Sequence, residues 1–291
     1  MMGPDKESAA DGLSLRPMQR GDLFAAHGLT SEIRWPHRAA DWELAFRLGE
    51  GVVAERDGAV VGTALRWRWD ARHATIGLVV VAASCRGRRI GHRLMQALLE
   101  DMGDCTVLLH ATADGRGLYE RLGFARIGEL RQHQGIARPT PPTALARGWR
   151  LRPAGATDLG VLQALDEQAR GMARARLVEA LFEQARSSVV LDHDGQARGF
   201  AMLRRFGRGL LIGPVVAPDT QGAQALIGHL AGLNAGRFTR IDIDFDSGLA
   251  EWLEQLGLRR VDAPVTMVRG EAPQASVGQA RLFAVVTQAL G

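Results

Sequence analysis

Arginines and glycines cluster in one short segment, RGRRIGHR at residues 86–93, four residues beyond the apolar and β-branched stretch 74–81. This order predicts a buried strand that passes through a short loop into the first turn of a helix. Backbone N–H groups at a helix start lack partners within the helix, and the helix dipole is positive there, so the turn suits an anion such as a pyrophosphate. A glycine-bearing turn with surface arginines is the purely structural alternative. The residues that could contact the anion are Arg86, Gly87, Arg88, Arg89, Gly91 and His92.

The surrounding residues indicate the elements that position this turn. An Asp-Gly pair at residues 57–58 suits the left-handed positions of a type I′ turn and predicts a hairpin. We expect strands at 13–15, 52–56, 59–69, 74–81, 106–112 and from 125 onward, and helices at 22–29, 40–48, 89–102 and 116–122. This mixture predicts an α/β fold, in which a mixed sheet carries helices on both faces.

The second half of the chain repeats the first. Leu-Arg-Pro at residues 15–17 returns at 151–153, and the Asp-Gly pair at 57–58 returns at 194–195, at a nearly constant offset. Further matches follow in the same order, which indicates a duplicated domain.

The stretch between the two copies, residues 138–148, contains prolines and no apolar period, as linkers do. A length of 291 residues also suits two domains. We therefore expect one domain at residues 1–137 and a second at residues 149–291.

Composition excludes several functional classes. Hydrophobic residues make up 46% and charged residues 23% of the chain, which is typical of a globular protein. The 36 lysines and arginines are interspersed with 32 acidic residues, so no basic patch predicts nucleic-acid binding. No apolar run reaches membrane-helix length and residues 1–12 lack the apolar core of a signal peptide, so we expect a cytoplasmic protein without membrane contact. Cys85 and Cys105 have no metal-ligand spacing, and we expect no metal.

The turn at residues 86–91, RGRRIG, resembles the pyrophosphate loop of the GNAT superfamily, the acetyl-CoA-dependent N-acyltransferases. That loop follows the pattern Arg/Gln-x-x-Gly-x-Gly/Ala, and this chain departs from it by having Arg89 where the family prefers glycine. The resemblance implies that acetyl-CoA is the co-substrate and that its pyrophosphate lies at this turn. It also implies that backbone groups of Val79 and Val81 pair with the pantetheine arm like an additional strand.

A second segment, ATADGRGLYERLGF at residues 111–124, resembles the family's strand-to-helix segment that ends in Leu-Tyr-Glu-x-Leu-Gly-Phe. Thr112 stands where the family often has asparagine. By the same resemblance Tyr119, the only tyrosine of the chain, donates a proton to the departing CoA thiolate. A phenol with an ordinary pKa near 10 is protonated at neutral pH, which fits that role. An aromatic residue that merely packs on the core is the alternative.

An amine must be neutral to attack a thioester, so a base or a water chain is expected. The candidates are Glu32, His37, His110 and His133. His37 lies between the first two predicted helices, where the family's acceptor site is usually walled, and His133 follows the strand after Tyr119. We favour His37 and His133, although a lone histidine is more often structural.

The second copy lacks both chemical features. Its turn, residues 215–225, contains no arginine and carries Asp219, and Leu253 stands at the tyrosine position. Asp242 and Asp244 lie on one face of an apolar strand and could contact a cation, or could simply be a solvated strand face. We expect residues 1–137 to be the catalytic GNAT domain, and the degenerate copy to cover the acceptor cleft or to form a homodimer contact.

The resemblance therefore predicts an N-acetyltransferase that moves an acetyl group from acetyl-CoA to a primary amine of a small molecule. Two alternatives stay open: a non-catalytic acyl-CoA sensor on the same scaffold, and a protein N-terminal acetyltransferase. The acceptor itself is not encoded in any motif, because loops form the walls of acceptor sites.

Overall fold

The computed structural model describes residues 12–139, 141–275 and 280–291. The first half contains β1 (Leu13–Pro17), α1 (Leu23–Glu32), α2 (Ala39–Leu48), β2 (Glu50–Arg56), β3 (Ala59–Arg68), β4 (His73–Val81), α3 (Ile90–Leu99), β5 (Thr106–Ala111), α4 (Arg116–Arg121) and β6 (Ala125–Ile136). The second half contains β7 (Trp149–Pro153), α5 (Leu159–Arg170), α6 (Ala175–Gln184), β8 (Ala185–His193), β9 (Gln196–Phe206), β10 (Gly209–Ala217), α7 (Thr220–Leu233), β11 (Phe238–Asp244), α8 (Ala250–Gln255), β12 (Arg259–Asp262), β13 (Val265–Arg269) and β14 (Arg281–Ala284).

The order of elements from β1 to α4 is repeated from β7 to α8, which confirms the duplication inferred from the sequence. The two Asp-Gly hairpin turns also match in conformation. Asp57 and Asp194 have φ values of 51° and 50°, and the glycines after them are likewise left-handed. These are the positions that a type I′ turn requires, so the same local signal produced the same hairpin twice.

Within the described ranges the strands form one continuous sheet of 14 strands, with β4–β5 and β10–β11 as its parallel pairs. Helices cover both faces, as the alternation of side chains along β2 shows. Val53 packs in a cluster with Trp42 of α2, whereas its neighbour Ala54 packs on the other face with Leu94 of α3. The predicted mixed sheet with helices on both faces is confirmed. No helix among the described residues is long and apolar enough to cross a membrane.

The two halves exchange strands. β13 belongs to the second half in sequence but lies between β5 and β6, pairing antiparallel with both. Conversely, residues 130–136 of β6, a strand of the first half, pair with β11 of the second half. The predicted boundary at residues 138–148 therefore separates two sequence repeats, but it does not separate two independent sheets.

The hydrophobic core reinforces this connection. Its cluster around the fully buried Trp42 and Trp67 of the first half also contains Leu177 and Phe200 of the second half. Burial of such side chains contributes about 1.5 to 3 kcal/mol each, so contacts across the halves stabilise both.

A gap opens in the sheet between β4 and β5. The two strands pair only over residues 73–75 and 106–108. Beyond that point β4 bulges at Leu78, whose φ is 52° and whose carbonyl accepts a hydrogen bond from Thr63 Oγ1 at 2.9 Å. A bulge turns the strand away from its neighbour, and the edge of β4 at residues 76–81 is thereby left to face a cleft.

The equivalent gap in the second half is closed by the protein's own chain. β10 and β11 pair in parallel over residues 210–212 and 239–241, and β14 then lies between them. β14 pairs with residues 215–217, which correspond to residues 79–81 of the first half. The duplicated fold thus has one open gap and one filled gap among the described residues.

Candidate functional site

The open gap leads into a cleft of about 1520 Å³ that both halves line. The first half contributes residues 32–37, residues 76–81, residues 85–87 and 89–92, and the side chains of His110, Thr112, Tyr119, Gln132 and Gln134. The second half contributes Phe206, Arg240, Val261, Asp262, Thr287, Gln288 and Ala289. The strand exchange brings these two groups together, because Gln132 and Gln134 lie on β6 directly beside β11.

The arginine-glycine turn runs into α3 at one end of the cleft. Arg89, the residue just before α3, has a φ of 57°, and Gly87 has a φ of 78°. Arg89 thus adopts the left-handed conformation that glycine adopts without strain, at a cost of about 1 to 2 kcal/mol. The turn is therefore as tight with Arg89 as it would be with the glycine that the family prefers at this position.

The side chains of the turn do not all face the cleft. Arg86, Arg89 and His92 line it, whereas Arg88 is exposed and is not among the lining residues. Gly91 lines it too, and a Cβ there would meet Leu118 Cδ2 at 3.4 Å and Val81 Cγ2 at 3.8 Å, both ordinary contacts. The protein therefore leaves room above Gly91, at the first turn of α3, where unpaired backbone N–H groups favour an anion.

Residues 287–289 form part of the cleft wall against the bulged strand. The Cα of Ala289 lies so near Gly77 that a Cβ on Gly77 would approach it to 2.9 Å. Glycine at this position is therefore required by the close approach of a segment far away in sequence. Val79 and Val81 line the cleft on the same strand.

Tyr119 lies on α4 and is only 8% exposed, yet it lines the cleft near Thr112 and Gly115. Its ring packs edge-on against Phe124 with centroids 6.1 Å apart. Burial raises the pKa of Tyr119 to about 12. The phenol therefore stays protonated at every physiological pH, and it is a weaker acid than the ordinary value suggests.

His37 lines the cleft at its far end, next to the ring of Phe206, with centroids 5.3 Å apart. Its Nδ1 is buried and has no hydrogen-bond partner among the described residues. Burial lowers the pKa of His37 to about 4, and the positive charge of Arg240 adds to the effect. The imidazole is neutral at pH 7, so one of its two ring nitrogens can accept a hydrogen bond.

His110 also lines the cleft, with its Nδ1 3.1 Å from Thr266 Oγ1. Burial lowers the pKa of His110 to about 3, and the nearby charges of Arg170 and Arg174 act in the same direction. Glu32 lies at the exposed end of α1 on the cleft rim.

His133 is placed away from the cleft, which corrects the preference for it as a base. It is completely buried, its Nδ1 lies 2.9 Å from the carbonyl oxygen of Leu258, and it does not line the cleft. Its neighbours Gln132 and Gln134 do line it. Because successive side chains of a strand point to opposite faces, His133 and the two glutamines face different sides of the sheet.

Two cleft residues of the second half, Arg240 and Phe206, belong to no motif that the sequence analysis recognised. Arg240 of β11 donates from Nε and Nη2 to the fully buried Asp242 at 2.9 and 2.7 Å. Its guanidinium also lies over the ring of Phe206, 5.3 Å from the centroid. The alternation of charged residues with isoleucine on an apolar strand was the only sequence signal for this pair. Asp242 is not part of a solvated strand face, because it is buried and pairs with an arginine.

The counterpart turn in the second half is built differently. Asp219 caps α7, and its carboxylate accepts a hydrogen bond from the Gly222 N–H at 2.7 Å. A carboxylate thus lies at the helix start where the first half has arginines, and like charge disfavours an anion there.

Comparisons with known proteins agree with this duplicated architecture. Residues 18–124 match a family model described as Acetyltransferase (GNAT) family, and residues 162–284 match one described as Acetyltransferase (GNAT) domain. An uncharacterized N-acetyltransferase, YitH of Bacillus subtilis (strain 168), is 28% identical over 224 residues, which are 76% of this chain and 77% of the relative.

Solved structures show the same fold. A putative acetyltransferase from Pyrococcus horikoshii superposes with a TM-score of 0.78 at 20% identity, covering 100% of both chains. A tandem GNAT protein from the clavulanic acid biosynthesis pathway superposes with a TM-score of 0.65 at 16% identity, covering 90% of this chain and 99% of that chain.

Proposed function

The chain belongs to the GNAT acetyltransferases, with two GNAT domains in tandem, and we propose that it transfers an acetyl group from acetyl-CoA to a primary amine of a small molecule. The observation that carries the proposal is the continuity of the cleft. It runs from the arginine-glycine turn, along the free edge of β4, past Tyr119, to a chamber walled by both halves.

Acetyl-CoA is proposed to bind in the first half. The backbone N–H groups of the turn, with Arg86 and Arg89, would hold the pyrophosphate. The bulged edge of β4 at Val79 and Val81 would pair with the amide groups of the pantetheine arm, as a strand edge does with any extended chain. Strand β14 fills the corresponding gap in the second half, so a single acetyl-CoA per chain is expected.

The chemistry proposed at Tyr119 follows from its burial. The amine nitrogen attacks the thioester carbonyl carbon, a C–N bond forms, the C–S bond breaks, and the electron pair leaves on sulfur. A thiol with an ordinary pKa near 8.5 is a much stronger acid than a phenol whose pKa is about 12. Tyr119 therefore stabilises the thiolate mainly by donating a hydrogen bond, and solvent delivers the proton afterwards.

His37 is proposed to position the acceptor amine. A base with a pKa of about 4 is too weak to take a proton from an alkylammonium ion, and Nδ1 is buried, so the proposed contact is a hydrogen bond from the neutral amine to Nε2 of the neutral ring. The proton lost by the amine then passes to solvent at the cleft mouth, where Glu32 and Asp262 lie.

The decisive experiment is thiol release from acetyl-CoA with a panel of small amines and of peptides with free N-termini. Acetylation of small amines that is lost in Tyr119→Phe, with CoA affinity retained, supports the proposal. Acetylation of peptides alone would assign the protein N-terminal activity instead. Binding of acetyl-CoA without release of thiol from any acceptor would favour the sensor reading.

A further inference from the structure

We propose that the acceptor amine also carries an anionic group, a carboxylate or a phosphate, which binds in an arginine-lined recess at the far end of the cleft. The inference rests on the proposed function, because it names the class of acceptor that the same cleft takes. The recess has a volume of about 120 Å³, room for one such group. We call it the arginine recess, and its principal lining residues are Arg34, Arg208, Arg240, Gln132, Gln134 and Phe206.

The arginine recess is a branch of the acceptor end of the cleft. Arg34, Phe206 and Arg240 line both cavities, as do the two glutamines. None of the recess residues belongs to the arginine-glycine turn at residues 85–92. The recess is therefore separate from the place proposed for the pyrophosphate.

The neighbours of Arg240 fix its guanidinium in an orientation that suits an anion. It is only 6% exposed, and Asp242 behind it takes Nε and Nη2, so Nη1 is the nitrogen left to meet a ligand. Gln134 stands directly opposite Arg240 in the strand register, which places an amide beside the guanidinium. A buried, oriented guanidinium is the group that proteins use for planar or tetrahedral anions.

The charge around the recess is positive. Three arginines line it, and no carboxylate is among its lining residues in the part of the chain that the structure describes. Two acids close to recess residues are already paired, Asp242 with Arg240 and Asp41 with Arg38. Asp262 is opposite Gln132 in the strand register and lines the cleft, but it does not line the recess. His37 adds no charge, since burial holds its pKa at about 4.

Phosphate binding tests the recess without relying on turnover. Inorganic phosphate is titrated by calorimetry into the full-length protein saturated with CoA, so that the turn is occupied. We compare wild type with Arg34→Gln/Arg208→Gln, which removes two exposed recess arginines and leaves the Arg240–Asp242 pair intact. The control, Arg198→Gln/Arg205→Gln, removes the same charge from exposed arginines of β9 that line neither cavity. The recess variant should bind phosphate about 10- to 100-fold more weakly and the control should match wild type.

Matched amines test the acceptor class. The pairs are β-alanine with β-alaninamide, γ-aminobutyrate with its amide, and aminoethyl phosphate with ethanolamine. We expect the anionic member to have a KM at least about tenfold lower, and the recess variant to raise that KM alone while kcat changes less than about twofold.

The outcomes separate the two proposals. Equal KM values within the pairs, or equal phosphate affinity in all three proteins, overturn the recess while acetylation itself still supports the proposed function. If no amine is acetylated but the recess variant alone loses phosphate binding, the recess is an anion site, and the proposed function fails together with the acceptor class.

Discussion

The arginine-glycine turn offers a sharp test of the proposed CoA site, because the structure divides its arginines into two groups. Arg86 and Arg89 line the cleft, whereas Arg88 and Arg93 do not. The position of Arg88 in the turn had given it the same predicted role as Arg86. We therefore compare Arg86→Gln/Arg89→Gly with Arg88→Gln/Arg93→Gln, two variants that lose the same charge from the same segment.

The expected magnitudes follow from this geometry. A hydrogen bond to a charged group contributes about 1.5 to 3 kcal/mol, and solvent exposure of Arg86 and Arg89 before binding places each near the lower value. That corresponds to about tenfold in CoA affinity for each arginine, and to about 100-fold for both if they act independently. Arginines that do not face the phosphates act only through screened charge, so the control should lose less than about threefold.

Glycine is the replacement at residue 89 because the backbone there is left-handed. It removes the guanidinium and relieves the strain of a φ of 57°, so the free energy of unfolding should rise by about 1 kcal/mol. A loss of CoA affinity in this variant cannot then be ascribed to a damaged turn.

The assay is calorimetric titration of CoA at low and at physiological ionic strength, with urea unfolding to measure stability. The cleft-facing variant should lose affinity most at low salt, where exposed charges are least screened. Equal losses in the two variants, or unchanged affinity in both, would refute the placement of the pyrophosphate at this turn.

Further perturbations test other parts of the site. Tyr119→Phe should lower kcat about 10- to 1000-fold in the thiol-release assay with CoA affinity nearly unchanged, and an unchanged kcat would reassign Tyr119 to packing. Gly91→Ala should keep or raise the free energy of unfolding by up to about 1 kcal/mol, yet weaken CoA binding about tenfold in calorimetry; unaltered affinity would contradict a close ligand there. His37 and His110 have folded pKa values of about 4 and 3, below the ordinary 6.5, so the free energy of unfolding should be constant well above pH 6.5 and should fall as the pH drops through 6.5, by about 3 kcal/mol for each histidine at pH 4; urea titrations that show no such loss would refute their buried, neutral state. Residues 1–137 alone should fail to give a cooperative unfolding transition, because β13 is missing from their sheet, and a cooperative fragment would show the exchanged strand to be dispensable.

Much of each repeat was determined by short stretches of sequence. Asp-Gly pairs specified two hairpins whose left-handed φ values the structure confirms, and apolar periodicity placed the helices within a few residues of their ends. The turn before α3 was also recognisable, since strand, glycines and helix start are adjacent in the chain. In all these cases the interacting residues lie within a few positions of each other, so local chemistry decides the conformation.

Other features depended on partners far away in sequence. β13 pairs with β5, whose residues precede it by about half the chain, and no local pattern says which of several apolar strands will fill that place. The side of the sheet that His133 faces depends on register, because a shift of one residue would exchange it with Gln132 or Gln134. For the same reason the motif around Tyr119 could not predict which residues line the chamber beside it.

The acceptor end of the cleft shows most clearly which features local sequence decides and which depend on the tertiary structure. The sequence alone predicted a CoA-binding turn, singled out a tyrosine and revealed a degenerate second copy. Only the folded chain brings Arg240 and Phe206 of that copy against His37 of the first, and only there does burial move the pKa of His37 to about 4 and of Tyr119 to about 12. A side chain's pKa and free hydrogen-bonding groups are set by the atoms packed around it, and strand pairing across the whole chain decides which atoms those are.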